Sequence, residues 1–206
     1  MPRAGAYAAE LAPEYVLLGL VILKPDHGYD LHTRLNADLG SIWHISQSQA
    51  YSILDRLEQH GHIARQPVRS TRLPERHKYR VTPAGCAHFE DWLMRPSVTK
   101  SRVIRVEFST KLHFLSQLHP QRIDRLIEAQ QAAVKLAHEA ARQALVELDE
   151  DEVIARLALA LQERQLQVVL QWLGDCRETM SSPALSMFSV VPGTSALAER
   201  VTGPGM

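Results

Sequence analysis

Three runs decide how this chain folds: HGYDLHTRL at residues 27–35, SQSQAYSILDRLEQHGHI at 46–63 and KYRVTPAG at 78–85. The first reads as a helix from His27 to about Leu39, with Tyr29, Leu31, Leu35 and Leu39 as one apolar stripe, Asp26 as its cap and Gly40 at its end. The second opens on Ser46 with Gln49 three residues on, the pattern of a capping box. It sends Ala50, Ile53, Leu54 and Leu57 inward and leaves Gln47, Ser48, Tyr51, Ser52 and Arg56 looking out; His60 and Gly61 stop it. Residues 63–69 and 77–82 read as two strands joined by a loop over 70–76. A helix, a helix with a polar outer face and a basic two-stranded hairpin, in this order, form the pattern of a winged helix-turn-helix. That module lays one helix in the DNA major groove.

Outward from this stretch, Tyr15 to Leu23 is apolar on every face, so it belongs at the centre of a small domain, with Pro13 suited to its first turn. Ile42, Trp43 and Ile45 make a short apolar link, and Thr82-Pro83 opens a further helix carrying Phe89, Trp92 and Leu93. Arg95-Pro96-Ser97 marks a boundary. Beyond it come a helix over 102–118, a restart at Pro120, and a helix over 151–177 that Asp149 and Glu152 can cap. Between them, positions 123, 127, 130, 134, 137, 141, 144 and 148 alternate spacings of four and three, a coiled-coil-like seam. The expected class is mainly α with a small two-stranded wing. A winged helix-turn-helix occupies 12–95, a helical dimerisation domain 101–179, and a disordered tail rich in Ser, Pro and Gly 180–206. Helices this long have few surfaces to bury against in so short a chain. Ile123, Ile127, Val134, Leu148, Leu157, Leu161, Val168 and Trp172 are therefore expected to meet a second copy. The Ala-rich start, 1–11, is expected to fray.

With 45% apolar and 6% aromatic residues, the 206-residue chain has the composition of a helical globular protein. A formal net charge of zero argues against indiscriminate coating of nucleic acid, yet the charge is uneven. Arg65, Arg69, Arg72, Arg76, Lys78 and Arg80 face a single acid, Glu75, which is the footprint of phosphate contact. The two cysteines, Cys86 and Cys176, are far apart and fit a reducing cytoplasm. The longest apolar run is too short for a bilayer, and no cleavable leader is legible. A cytoplasmic protein without membrane contact is expected.

A helix that reads bases needs hydrogen-bonding side chains near its start. Ser46, Gln47, Ser48 and Gln49 meet that need, since glutamine can pair two edges of adenine and serine can serve base or phosphate. Tyr51, Ser52 and Arg56 continue the same face, and Arg72, Arg76 and Lys78 sit where a wing would meet the backbone or the minor groove. Tyr79 and Val81 are expected to pack under the wing.

The N-terminal half resembles the PadR family of transcription regulators. The resemblance rests on LLGL (17–20), HGYDL (27–31), AYSILDRLEQHGHI (50–63) and KYRVTPAG (78–85), and covers about Tyr15 to Leu93. The longer C-terminal part is similar, by helical character, to the larger PadR subfamily, in which extra helices form the dimer. The resemblance implies a homodimer on a palindromic operator in double-stranded DNA, usually repressing and often released by a small molecule. Trp92 and Trp172 are the aromatics that a pocket for a small aromatic effector would use. One departure stands out: where the family's wing commonly carries glycine and stacked basic residues, this chain has Leu73-Pro74-Glu75.

Two other classes compete. A metal-dependent enzyme would draw on His60, His62 and His77, but three or four oriented ligands are wanted, and neither a Gly-rich phosphate loop nor a nucleophile elbow is present. A winged-helix module for protein contacts alone would have lost its basic wing, which this chain keeps. No catalytic residue, cofactor or metal is expected.

Overall fold

The structure, a computed structural model, describes residues 11–68 and 76–181. The expectations for residues 1–10, the wing tip at 69–75 and the tail at 182–206 lie outside the described residues. The described chain divides into two compact units that meet in sequence between Met94 and Arg95.

The first unit is built on α1 (Pro13–Leu23), whose Val16, Leu17, Leu18, Leu20 and Val21 are wholly buried. Pro13 stands at its first turn, where a missing N–H costs nothing. A two-residue strand, β1 (Asp26–His27), then runs into α2 (Gly28–Leu39). Leu31, Leu35 and Leu39 of α2 face the core. Tyr29 does not: it is 60% exposed, because it lies about 200° around the helix from Leu31. Nor is Asp26 the cap. His27 precedes the helix without a side-chain cap bond, and Asp26 and His27 pair with Tyr79 and Lys78.

Helix α3 (Gln47–Gln59) begins with the expected capping box: Ser46 Oγ accepts the Gln49 N–H at 3.3 Å and Gln49 Oε1 accepts the Ser46 N–H at 2.9 Å. Gly61, at φ +71°, reverses the chain in a conformation that glycine alone adopts cheaply. Strands β2 (Ile63–Val68) and β3 (Arg76–Val81) pair antiparallel, from Ile63 opposite Val81 to Val68 opposite Arg76. With β1 on the other side of β3, the sheet has three strands in the order β1-β3-β2, one more than the sequence predicts. Helix α4 (Pro83–Met94) closes the unit, and Thr82 Oγ1 accepts the Gly85 N–H at 3.0 Å. Trp92 stacks on Tyr15 at 4.6 Å and 5°, which pins α4 to α1.

The second unit begins with α5 (Ser101–Val103), passes through a π-helical turn (Ile104–Phe108) and continues as α6 (Ser109–Leu118). Sequence periodicity predicts one uninterrupted helix here. The wider turn accompanies a buried polar cluster. Lys111 Nζ lies 2.7 Å from Glu107 Oε1 and donates to the Arg95 carbonyl at 2.6 Å and to Ser97 Oγ at 3.3 Å. Ser97 in turn exchanges backbone bonds with the Gln130 side chain. A short 3-10 turn (Pro120–Arg122) leads to α7 (Ile123–Glu147) and α8 (Val153–Ser181), which pack as an antiparallel pair. His138–Glu163 and Arg177–Glu128 tie the two, at 2.7 and 3.1 Å. Glu152 accepts the Asp149 N–H, and Arg156 donates to the Leu148 carbonyl at 2.8 Å, fastening the turn between them. No described helix is long and apolar enough to cross a membrane.

Candidate nucleic-acid interface

The capping box does two things to α3. It settles where the helix starts, and it uses the Gln49 carboxamide oxygen, which the sequence offers as a base contact. Ser46 Oγ and Ser48 Oγ lie 3.1 Å apart, and Ser52 Oγ donates to the Ser48 carbonyl at 3.0 Å. Gln47 and Arg56 are exposed on the same helix. Ala50, Ile53, Leu54 and Leu57 are buried behind them, at 3% exposure or less. One face of α3 therefore holds the unit together while the other offers amide, hydroxyl and guanidinium groups.

Tyr51 bridges this face to α2. Its ring lies so close over Gly28 that a Cβ there would stand 2.5 Å from Tyr51 Cε1. The glycine of the HGYD run is thus a seat for a tyrosine on the neighbouring helix, a role that no local pattern in the sequence reveals. Tyr51 stays 38% exposed.

The sheet brings the wing to the same place. Lys78, exposed, sits opposite His27 in β1 and opposite Gln66 in β2. His27 Nδ1 donates to the His77 carbonyl at 3.0 Å, so the start of α2 is stapled to β3. Along β3, Lys78 and Arg80 are exposed while Tyr79 is 5% exposed, the alternation of a strand with one covered face. Arg72 lies outside the described residues, and Arg76 is described by its backbone alone.

Arg65 departs from its sequence reading. Its guanidinium, counted there among the phosphate-facing charges, pairs with Asp55 and with Glu58 (2.9 Å) on α3 and lies 5.6 Å over the Tyr79 ring. Burial lowers its pKa, but Tyr79, Glu58 and Asp55 outweigh that and raise it.

The histidines group differently from the sequence reading. His62 stacks on His88 at 4.2 Å and 17°, with His60 tilted 6.0 Å away, while His77 contributes its backbone carbonyl to His27. Burial, then His88 and His60, lower the His62 pKa, because each disfavours the charged ring. Among the described residues no group of three or more His, Cys, Asp or Glu is placed to hold a metal ion. Burial pushes the Cys86 thiol up and the Cys176 thiol up to about 11, so neither is primed as a nucleophile.

In the second unit the residues expected to meet a second copy separate into two sets. Ile123, Ile127 and Val134 are 7% exposed or less within a single chain, and Leu148 and Trp172 are half-buried. The burial of Ile123, Ile127 and Val134 is satisfied inside this unit, which corrects the reading of these three as a surface. Leu157, Leu161 and Val168 are 63%, 59% and 62% exposed and, with Ile154 at 79%, follow one line along α8. The two tryptophans belong to different units. Trp92, 5% exposed, packs with Tyr15 and Phe89, and Trp172 meets Phe108 edge-on at 5.9 Å.

Residues 17–91 match the model of the transcriptional regulator PadR-like family. The negative transcriptional regulator PadR of Bacillus subtilis (strain 168) is 32% identical over 118 residues, a match that spans 57% of this chain and 64% of that protein. The crystal structure of B. subtilis PadR in complex with operator DNA is similar over 82% of this chain and 98% of that one, at 24% identity and a TM-score of 0.38. The crystal structure of the same regulator in complex with p-coumaric acid is similar over 82% and 99%, at 23% identity and a TM-score of 0.35. Residues 17–91, which carry the capping-box helix, the HGYD seat and the three-stranded sheet, are thus similar to the transcriptional regulator PadR-like family.

Proposed function

We propose that the protein is a sequence-specific DNA-binding regulator that acts as a homodimer on a palindromic operator, represses transcription, and is released by a small aromatic ligand. The observation that carries this reading is the exposed polar face of α3 beside Lys78 of the sheet, backed by a buried apolar face. Gln47 and Ser48 are the base-contacting candidates; Ser46, Gln49, Tyr51, Ser52 and Arg56 frame them. Arg72, Arg76 and Lys78 are the phosphate-contacting candidates. The dimer forms on the exposed line of Ile154, Leu157, Leu161 and Val168, because four aliphatic side chains in a row on one helix gain from a partner. Two copies then offer two reading helices to half-sites about one DNA turn apart or a multiple of it. Trp172, half-buried against Phe108, is the aromatic left accessible to an effector, while Trp92 is committed to its stack.

Binding-site selection from a pool of random duplexes, followed by anisotropy titrations, tests the reading. Gln47→Ala is expected to cost about 1–3 kcal/mol on the selected site and far less on random DNA. Lys78→Ala is expected to weaken both alike and flatten the salt dependence. No enrichment of any duplex, or equal losses on both DNAs for Gln47→Ala, would remove α3 from the reading role.

A further inference from the structure

Arg65 has a second duty that the charge count conceals. It projects from β2 onto α3, where it meets Asp55 through Nη2 and Glu58 through Nε. Its register partner across the sheet, Tyr79, lies beneath it and is 5% exposed. The two carboxylates are the only acids of α3, and they are 51% and 33% exposed on the helix proposed to enter the groove. Without a counter-ion they would face a polyanion. A guanidinium whose nitrogens are occupied by carboxylates has little left for phosphate, since its planar fork matches either partner and cannot serve both fully.

We infer that Arg65 is a positioning residue that acts as the internal counter-ion of Asp55 and Glu58, masking the acids of α3 from DNA, and is not itself a phosphate ligand. This inference rests on the DNA-binding reading above. It also sharpens the electrostatics of that reading: the cations that meet DNA are those clear of α3, among which Lys78 and Arg80 of β3 are exposed.

The test uses the full-length protein and anisotropy on two probes, a duplex of random sequence and the best duplex selected from a random pool, across a range of salt. R65Q uncovers two negative charges and should weaken binding to both probes by about tenfold at low salt, with the number of released counter-ions unchanged. The triple variant R65Q/D55N/E58Q should recover wild-type affinity or better. D55N/E58Q alone frees the guanidinium, so it should bind more tightly, with a salt dependence steeper by about one ion. Thermal melting of each variant confirms that it is folded. A loss in R65Q with a salt slope shallower by about one ion, and no recovery in the triple variant, would make Arg65 a phosphate ligand and overturn the inference. A loss with neither change of slope nor recovery would make it a mechanical clamp and overturn it equally, as would R65Q binding like the wild type. Failure of the wild-type protein to bind either probe would instead refute the DNA-binding reading.

Discussion

Replacing Lys111 with methionine should destabilise the second unit far more than a surface ion pair would. Its side chain is 1% exposed, and its ammonium has Glu107 Oε1, the Arg95 carbonyl and Ser97 Oγ among its acceptors. Burial nevertheless holds its pKa below the usual lysine range, against the pull of Glu107. Desolvation is therefore a real cost, offset only while the partners are in place. Methionine fills most of the lysine stem's volume but leaves Glu107, 13% exposed, a carboxylate whose remaining donor here is the Ser97 hydroxyl at 2.9 Å. An uncompensated buried charge of this kind costs about 3–5 kcal/mol, which in a domain of this size lowers the melting temperature by more than about 10 °C. Lys111→Met/Glu107→Leu removes both charges and should recover most of that loss. The assay is urea and thermal unfolding by circular dichroism on the wild type, both singles and the double. A Lys111→Met cost under about 1 kcal/mol, or a double-variant cost equal to the sum of the singles, would show that the buried pair is not coupled and refute the reasoning.

Other outcomes follow from particular contacts. Gly85→Ala should cost more than about 3 kcal/mol in thermal unfolding, because its Cβ would stand 2.0 Å from the His62 carbonyl oxygen, which has no freedom to swing away. Gly28→Ala should cost less than about 1 kcal/mol, since the clashing atom belongs to a partly exposed tyrosine ring, yet it should weaken DNA binding by displacing Tyr51. The His62 pKa is lowered on folding, so the unfolded chain binds the extra proton first. Stability should be flat above about pH 6.5 and fall as the pH drops below it, and His62→Gln should flatten that fall. A melting temperature equally pH-dependent in the variant would assign the effect to another group. Leu161→Asp should leave the fold intact, since Leu161 is 59% exposed, and shift sedimentation from dimer to monomer. A wild-type protein that sediments as a monomer at micromolar concentration would refute the dimer.

What the sequence determined by itself is whatever depends on neighbours a few residues apart. The Ser46–Gln49 capping box, the buried Ala50, Ile53, Leu54 and Leu57 and the turn at Gly61 were all legible, because helical period and cap chemistry are local. The polar face of α3 was legible for the same reason, being what remains when the apolar positions are assigned. Tertiary structure decided the rest, where partners are distant in sequence or where one residue has two plausible uses. Asp26 could cap a helix or join a strand, and Tyr79, more than fifty residues on, drew it into β1 alongside β3. Arg65 could meet phosphate or carboxylate, and the approach of β2 to α3 gave it the acids. Ile123, Ile127 and Val134 could face a second copy or their own chain, and burial within the unit decided for the chain. Ser97, Glu107, Lys111 and Gln130 carry no shared spacing, yet once buried together each polar group needed a partner. That need was met only by joining a connector and two helices through one cluster.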